Sequence, residues 1–86
     1  MKLLIEVELR FGGRSGVEAR SPDLRLTSHG VDEKEALESL RHGIVAWCEG
    51  LQLLGRLEQV LKQKGMNWQT DAGSIVVELQ PVATQD

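Results

Sequence analysis

Residues 3 to 11 alternate apolar with polar at a period of two, and this run constrains the chain more than any other feature. Leu3, Ile5, Val7, Leu9 and Phe11 fall on one face of a strand, and Glu6, Glu8 and Arg10 fall on the other. Gly12-Gly13-Arg14-Ser15-Gly16 can supply the positive φ angles of a hairpin loop, and Val17-Glu18-Ala19-Arg20 resumes the alternation. With residues 12 to 16 as the loop, Phe11 faces Val17, Arg10 faces Glu18, Leu9 faces Ala19 and Glu8 faces Arg20. Apolar meets apolar and acid meets base in this register, and a one-residue slip spoils both sets.

Ser21-Pro22-Asp23 breaks the second strand, because Pro22 cannot donate to a ladder. A third strand is predicted through Leu24-Arg25-Leu26-Thr27-Ser28, stopping at Gly30 and completing a meander. The outer face of that meander carries Glu6, Glu8, Arg10, Glu18, Arg20 and Arg25, mixed in sign and solvated. Asp32 and Glu35 have the spacing of a capping box, with Val31 and Ala36 placed for a hydrophobic staple. Ala36, Leu37, Leu40, Ile44, Trp47, Cys48 and Leu51 then share one helical stripe. Gly43, at the edge of that stripe, leaves room for the close approach of a neighbouring element.

A second stripe, Leu53, Leu54, Leu57, Val60 and Leu61, is rotated from the first by roughly 120°. One straight helix would have to bury both faces, so a break near Gly50 and a second helix ending at Gly65 are expected. Residues 66–73 are a loop, or contain a short strand around Asn67-Trp68-Gln69. Ser74 to Gln80 is a last strand closed by Pro81, and Val82 to Asp86 a frayed tail. The expectation is a single domain over residues 1–86 with the order β-β-β-α-α-β. It is a two-layer α+β fold in which an antiparallel sheet of three meander strands, plus a C-terminal strand, is covered on one face by one or two helices.

The side chains capable of chemistry are few. His29 ends a strand, His42 projects from the exposed side of the first helix, and neither has carboxylates or cysteines at ligand spacing. Cys48 is the single cysteine and lies on an apolar stripe with no accompanying base, which marks it as a buried hydrophobe. The glycine-rich loop lacks phosphate-cradle spacing and sits between two strands. Trp68 either covers the end of the core or serves as an interface anchor. No enzyme activity, metal or cofactor is expected. Ten basic against thirteen acidic side chains give a net charge of -3 and a pI near 5.3, the wrong sign for displacing counterions from nucleic acid. With no secretory signal and no apolar run of ~20 residues, a cytoplasmic protein without membrane contact is expected.

Between Pro22 and Leu51 the chain resembles the HicB antitoxin family: Pro22-Asp23-Leu24, a short strand, Gly30, then Asp32-Glu33-Lys34-Glu35-Ala36-Leu37 and a helix. In that family a hairpin precedes such a segment, and a helix and a closing strand follow it. This chain departs in having Arg25-Leu26-Thr27 after the Pro-Asp-Leu turn, and in the long second helix from Gln52 to Lys64. The resemblance implies a degenerate ribonuclease-H-like sheet, self-association, and the covering of a small basic RNA-cleaving HicA-type toxin. Only the antitoxin domain is matched, so no DNA-binding module and no direct nucleic-acid contact are expected. Glu6, Glu8 and Glu18 are the candidate partner-binding residues, while Pro22, Asp23, Gly30 and Ala36 are structural. The alternative is a stand-alone homo-oligomer with a scaffold or regulatory role and no toxin partner.

Overall fold

The alternating N-terminal run forms the strand on which the whole sheet is built. The computed structural model describes residues 1–13, 16–70 and 73–83, in the order β1 (Lys2–Gly13), β2 (Gly16–Ser21), β3 (Leu26–Gly30), α1 (Glu33–Leu53), α2 (Leu57–Gln63), β4 (Trp68–Gln69) and β5 (Val76–Ala83). The architecture is α+β, with the helices on one face of a five-stranded sheet. No helix among the described residues is long and apolar enough to cross a membrane.

Period two decides what β1 buries. Leu3, Ile5, Val7 and Leu9 are at most 5% exposed, whereas Lys2, Leu4, Glu6 and Arg10 point outward. β2 pairs antiparallel in the expected register, Glu8 with Arg20, Leu9 with Ala19 and Arg10 with Glu18. Beyond Arg10 the register shifts, and Gly13 pairs with Gly16. The expected Phe11–Val17 pair is therefore not made. Gly12, at φ +89°, absorbs the extra residue, leaving Phe11 61% exposed while Val17 is buried. Arg14 and Ser15 of the expected loop lie outside the described residues.

The third strand begins later than expected, because residues 22–25 form a turn in which Arg25 takes φ +57°. Leu24, instead of lining a strand, is buried from this turn. The Lys64 Nζ at the end of α2 donates to the Asp23 carbonyl at 3.4 Å. β3 then pairs antiparallel with β2, from Ser21↔Leu26 to Val17↔Gly30. Gly30 is obligatory at the junction with α1: a Cβ there would lie 2.4 Å from the Ala36 backbone nitrogen.

Asp32 caps α1 as expected, accepting from the Glu35 N–H at 2.8 Å. Glu35 returns a bond to the Val31 N–H at 3.1 Å. The staple does not form, since Val31 is 75% exposed. Ala36, Leu40, Ile44 and Cys48, four residues apart, seat the helix on the sheet. Gly43 faces open space and permits no close approach, contrary to expectation. The helical break exists but falls at Gly55, not near Gly50. There Gly55 (φ +68°) donates to the Gln52 carbonyl and Arg56 to the Leu51 carbonyl, the paired bonds of a Schellman cap. Gly65 repeats the motif after α2, with Met66 donating to the Leu61 carbonyl.

The last strand passes through Pro81 to Ala83, so Pro81 does not close it, and it runs parallel to β1 from Lys2↔Val76 to Leu9↔Ala83. The rest of the expected frayed tail, residues 84–86, lies outside the described residues. A strand has two edges. With β5 on one, β2 and the two-residue β4 share the other, β4 pairing Leu3 with Trp68.

Candidate functional site

The helices cover the inner face of the sheet and leave the outer face bare. Residues directly opposite each other in paired strands share a face, so the ladders say which side chains meet there. Even-numbered β1 residues Lys2, Leu4, Glu6, Glu8 and Arg10 stand between two rows. On one side are Glu18 and Arg20 of β2, with His29 and Thr27 of β3 beyond them; on the other are Val76, Glu78, Gln80 and Val82 of β5. The three candidate residues, Glu6, Glu8 and Glu18, are thus brought together on this one face. Glu6 and Glu8 are successive outward positions of β1, and Glu18 lies diagonally across from Glu8.

Their environments differ. Glu8 is opposite Arg20 and Val82, and Glu18 is opposite Arg10 and His29. The Glu18 carboxylate lies 3.3 Å from His29 Nε2. Glu6 faces Gln80 on β5, with no base directly opposite. Farther along, Lys2 Nζ lies 3.2 Å from Glu78. Four carboxylates (Glu6, Glu8, Glu18, Glu78) against three permanent cations (Lys2, Arg10, Arg20) give an alternating face with a small acidic excess. Exposed pairs of this kind contribute roughly 0–1 kcal/mol each to folding, so their greater effect is on what can dock there and in which register. Leu4, Val76 and Val82, each about half exposed, add apolar contact area among the charges.

At the start of β1, residues Lys2, Leu4, Asn67, Trp68, Gln69, Glu78 and Gln80 line a groove of about 410 Å³. Its polar lining consists of amides and one ion pair, without a nucleophile beside a base. Trp68 is in register with Leu3 and packs partly buried against the core, which favours its reading as an end cover. Nothing in the sequence marked Leu4, Val76 or the amides as neighbours, because β4 and β5 meet only through their pairing with β1.

The remaining candidate chemistry is dispersed. His42 is 3.9 Å from Glu38, on α1 and away from His29. Cys48 is fully buried, and desolvation, reinforced by the neighbouring Glu49 charge, pushes its thiol up to about 11. Such a thiol is neutral and unreactive at neutral pH. Among the described residues, no group of three or more His, Cys, Asp or Glu side chains is placed to hold a metal ion. Comparison with protein-family models, with curated proteins and with solved structures finds no match to this chain.

Proposed function

We propose that this chain is a HicB-like binding domain that covers and neutralises a small basic RNA-cleaving HicA-type toxin, using the bare face of its sheet and no catalytic step of its own. The observation that carries the reading is the gathering of Glu6, Glu8 and Glu18 on the one sheet face that no helix covers. The order of elements also supports it: a hairpin, the Pro22-Asp23-Leu24 turn, a short strand, an Asp32-capped helix and a closing strand. The second helix remains a departure from the family pattern.

A basic RNA-binding surface is attracted by the carboxylates, and the interleaved Arg10 and Arg20 penalise docking in the wrong register. Glu6, lacking a base directly opposite, has the charge most open to a partner. The chain's net charge of -3 disfavours a polyanion in the same place. Co-expression with the product of the adjacent reading frame tests the reading. A small basic protein that copurifies, and whose binding weakens at least tenfold in Glu6→Lys/Glu8→Lys, supports it. The absence of such a frame, or two chains that fail to copurify, refutes it.

A second reading, a stand-alone homo-oligomer of scaffold or regulatory role, is favoured by one specific feature. Leu53 and Leu54, at the turn between the helices, are 90% and 70% exposed. The surface expected around Leu53, Leu57 and Val60 is narrower than that, since Leu57 is buried and Val60 half-buried. Light scattering on the isolated chain and on Leu53→Gln/Leu54→Gln, alongside the identity of the adjacent reading frame, separates the two readings: mass lost on that change, with no small basic protein encoded by that frame, supports the stand-alone homo-oligomer.

A further inference from the structure

The register of β5 places its proline on the free edge of the sheet. β5 pairs with β1 without a shift from Lys2↔Val76 to Leu9↔Ala83, and the Val76 N–H donates to the Met1 carbonyl at 2.8 Å. In a parallel ladder every second residue turns its backbone groups toward the same neighbour. Val76, Glu78, Gln80 and Val82 therefore address β1, while Val77, Leu79 and Pro81 address the opposite edge. No strand pairs along that edge among the described residues. This phase explains how an exposed proline fits inside an eight-residue strand: it withholds no bond from the ladder with β1. It withholds one from any strand that would add outside.

A second feature acts in the same direction. The β5 residues ahead of Pro81 are numbers 76 to 80, centred on Glu78. Laid antiparallel against the same stretch of a second copy, they exchange bonds at Val77 and Leu79 and set Glu78 directly opposite Glu78 of that copy. Like charges so placed, about 4.5 Å apart at the backbone, destabilise the pairing. Lys2, 3.2 Å from Glu78, compensates only in part, because both side chains are about half exposed.

We infer that Pro81, seconded by Glu78, closes the β5 edge to strand addition, so that this chain does not extend its sheet through β5 into a second copy. Unprotected edges are templates for such pairing, and a proline or charge on the edge is a recognised way to blunt them. Ladder geometry and the charge of Glu78 carry this edge role, which stands whether or not the chain binds a toxin.

Two measurements on the full chain test it. In Pro81→Thr, hydrogen exchange at low concentration should find the new amide at position 81 unprotected, while the amides of Gln80 and Val82 are slowed at least 100-fold. Sedimentation of Glu78→Thr/Pro81→Thr should show a concentration-dependent weight-average mass at least twice that of the unaltered chain. An amide at position 81 as protected as its neighbours overturns the assigned phase. A folded double variant with unaltered mass across the concentration range overturns the edge role. Unfolding of Pro81→Thr and Pro81→Ala alike also overturns the inference, since an outward phase leaves the ladder with β1 intact. As a control, Gln80→Pro removes an inward donor and should lose the β5 ladder.

Discussion

Replacing Gly30 by alanine adds a single methyl group where β3 meets the first turn of α1. That methyl would lie 2.4 Å from the Ala36 nitrogen and 2.8 Å from the Glu35 carbonyl carbon and Cβ. Two of these three atoms are backbone, so no side-chain rotation relieves the contact. The helix start must move away from the strand. Overpacking of this kind costs about 1–3 kcal/mol. If the movement also breaks the 2.8 Å Asp32–Glu35 cap, a further ~1 kcal/mol is lost. A loss of about 3 kcal/mol is a large share of the roughly 4–13 kcal/mol available to a chain this long. At a urea slope of ~1–1.5 kcal/mol/M it lowers the unfolding midpoint by about 2–3 M. Urea titration followed by the fluorescence of Trp47 and Trp68 measures the shift. Gly43→Ala is the control: it faces open space within α1 and should gain up to about 1 kcal/mol. A Gly30→Ala midpoint equal to that of the unaltered chain, or a Gly43→Ala loss as large as that of Gly30→Ala, refutes the reasoning.

Ser21 is fully buried and, among the described residues, its Oγ has no hydrogen-bond partner, so Ser21→Ala should raise stability by about 1 kcal/mol in the same titration; a loss would mean that the hydroxyl is satisfied. Arg25 holds φ +57° in the 22–25 turn, a conformation costing a side-chain-bearing residue about 1–2 kcal/mol, so Arg25→Gly should be neutral or up to about 1 kcal/mol stabilising in thermal unfolding. The Cys48 thiol ionises near 9.0 when unfolded and near 11 when folded, so between those values the unfolded chain has released a proton that the folded chain keeps. Stability contributed by the neutral thiol is therefore complete below pH 9 and falls by on the order of 2 kcal/mol as the pH rises to 11. Urea titrations across this range should show that component missing from Cys48→Ala.

The hairpin register and the shared face of Glu6, Glu8 and Glu18 were legible in the sequence because side-chain period and charge pairing fix them together. The bulge at Phe11 was not, since a stretch of closely spaced glycines admits several turn geometries. Rotation of the apolar stripe required a helical break somewhere between Cys48 and Leu57. It could not choose between Gly50 and Gly55, because the choice rests on two backbone bonds that leave no mark on composition. The parallel course of β5 was likewise hidden. A strand's own residues do not name its neighbour; here the hairpin occupied one edge of β1 and left the other for a strand returning after two helices. Leu4 and Val76 became neighbours only through that return, which is why the apolar component of the candidate face was absent from the sequence reading.

The central claim is that the uncovered face of the sheet is where this chain meets another macromolecule. Carboxylate footprinting reads this directly, with the chain alone and then mixed with any small basic protein that the neighbouring frame encodes. The account predicts that Glu6, Glu8 and Glu18 become protected on mixing, while Glu33, Glu38 and Glu58 on the helical side keep their reactivity. Protection confined to the helical side, or unchanged reactivity at all six positions in a mixture that sediments as a complex, would contradict it.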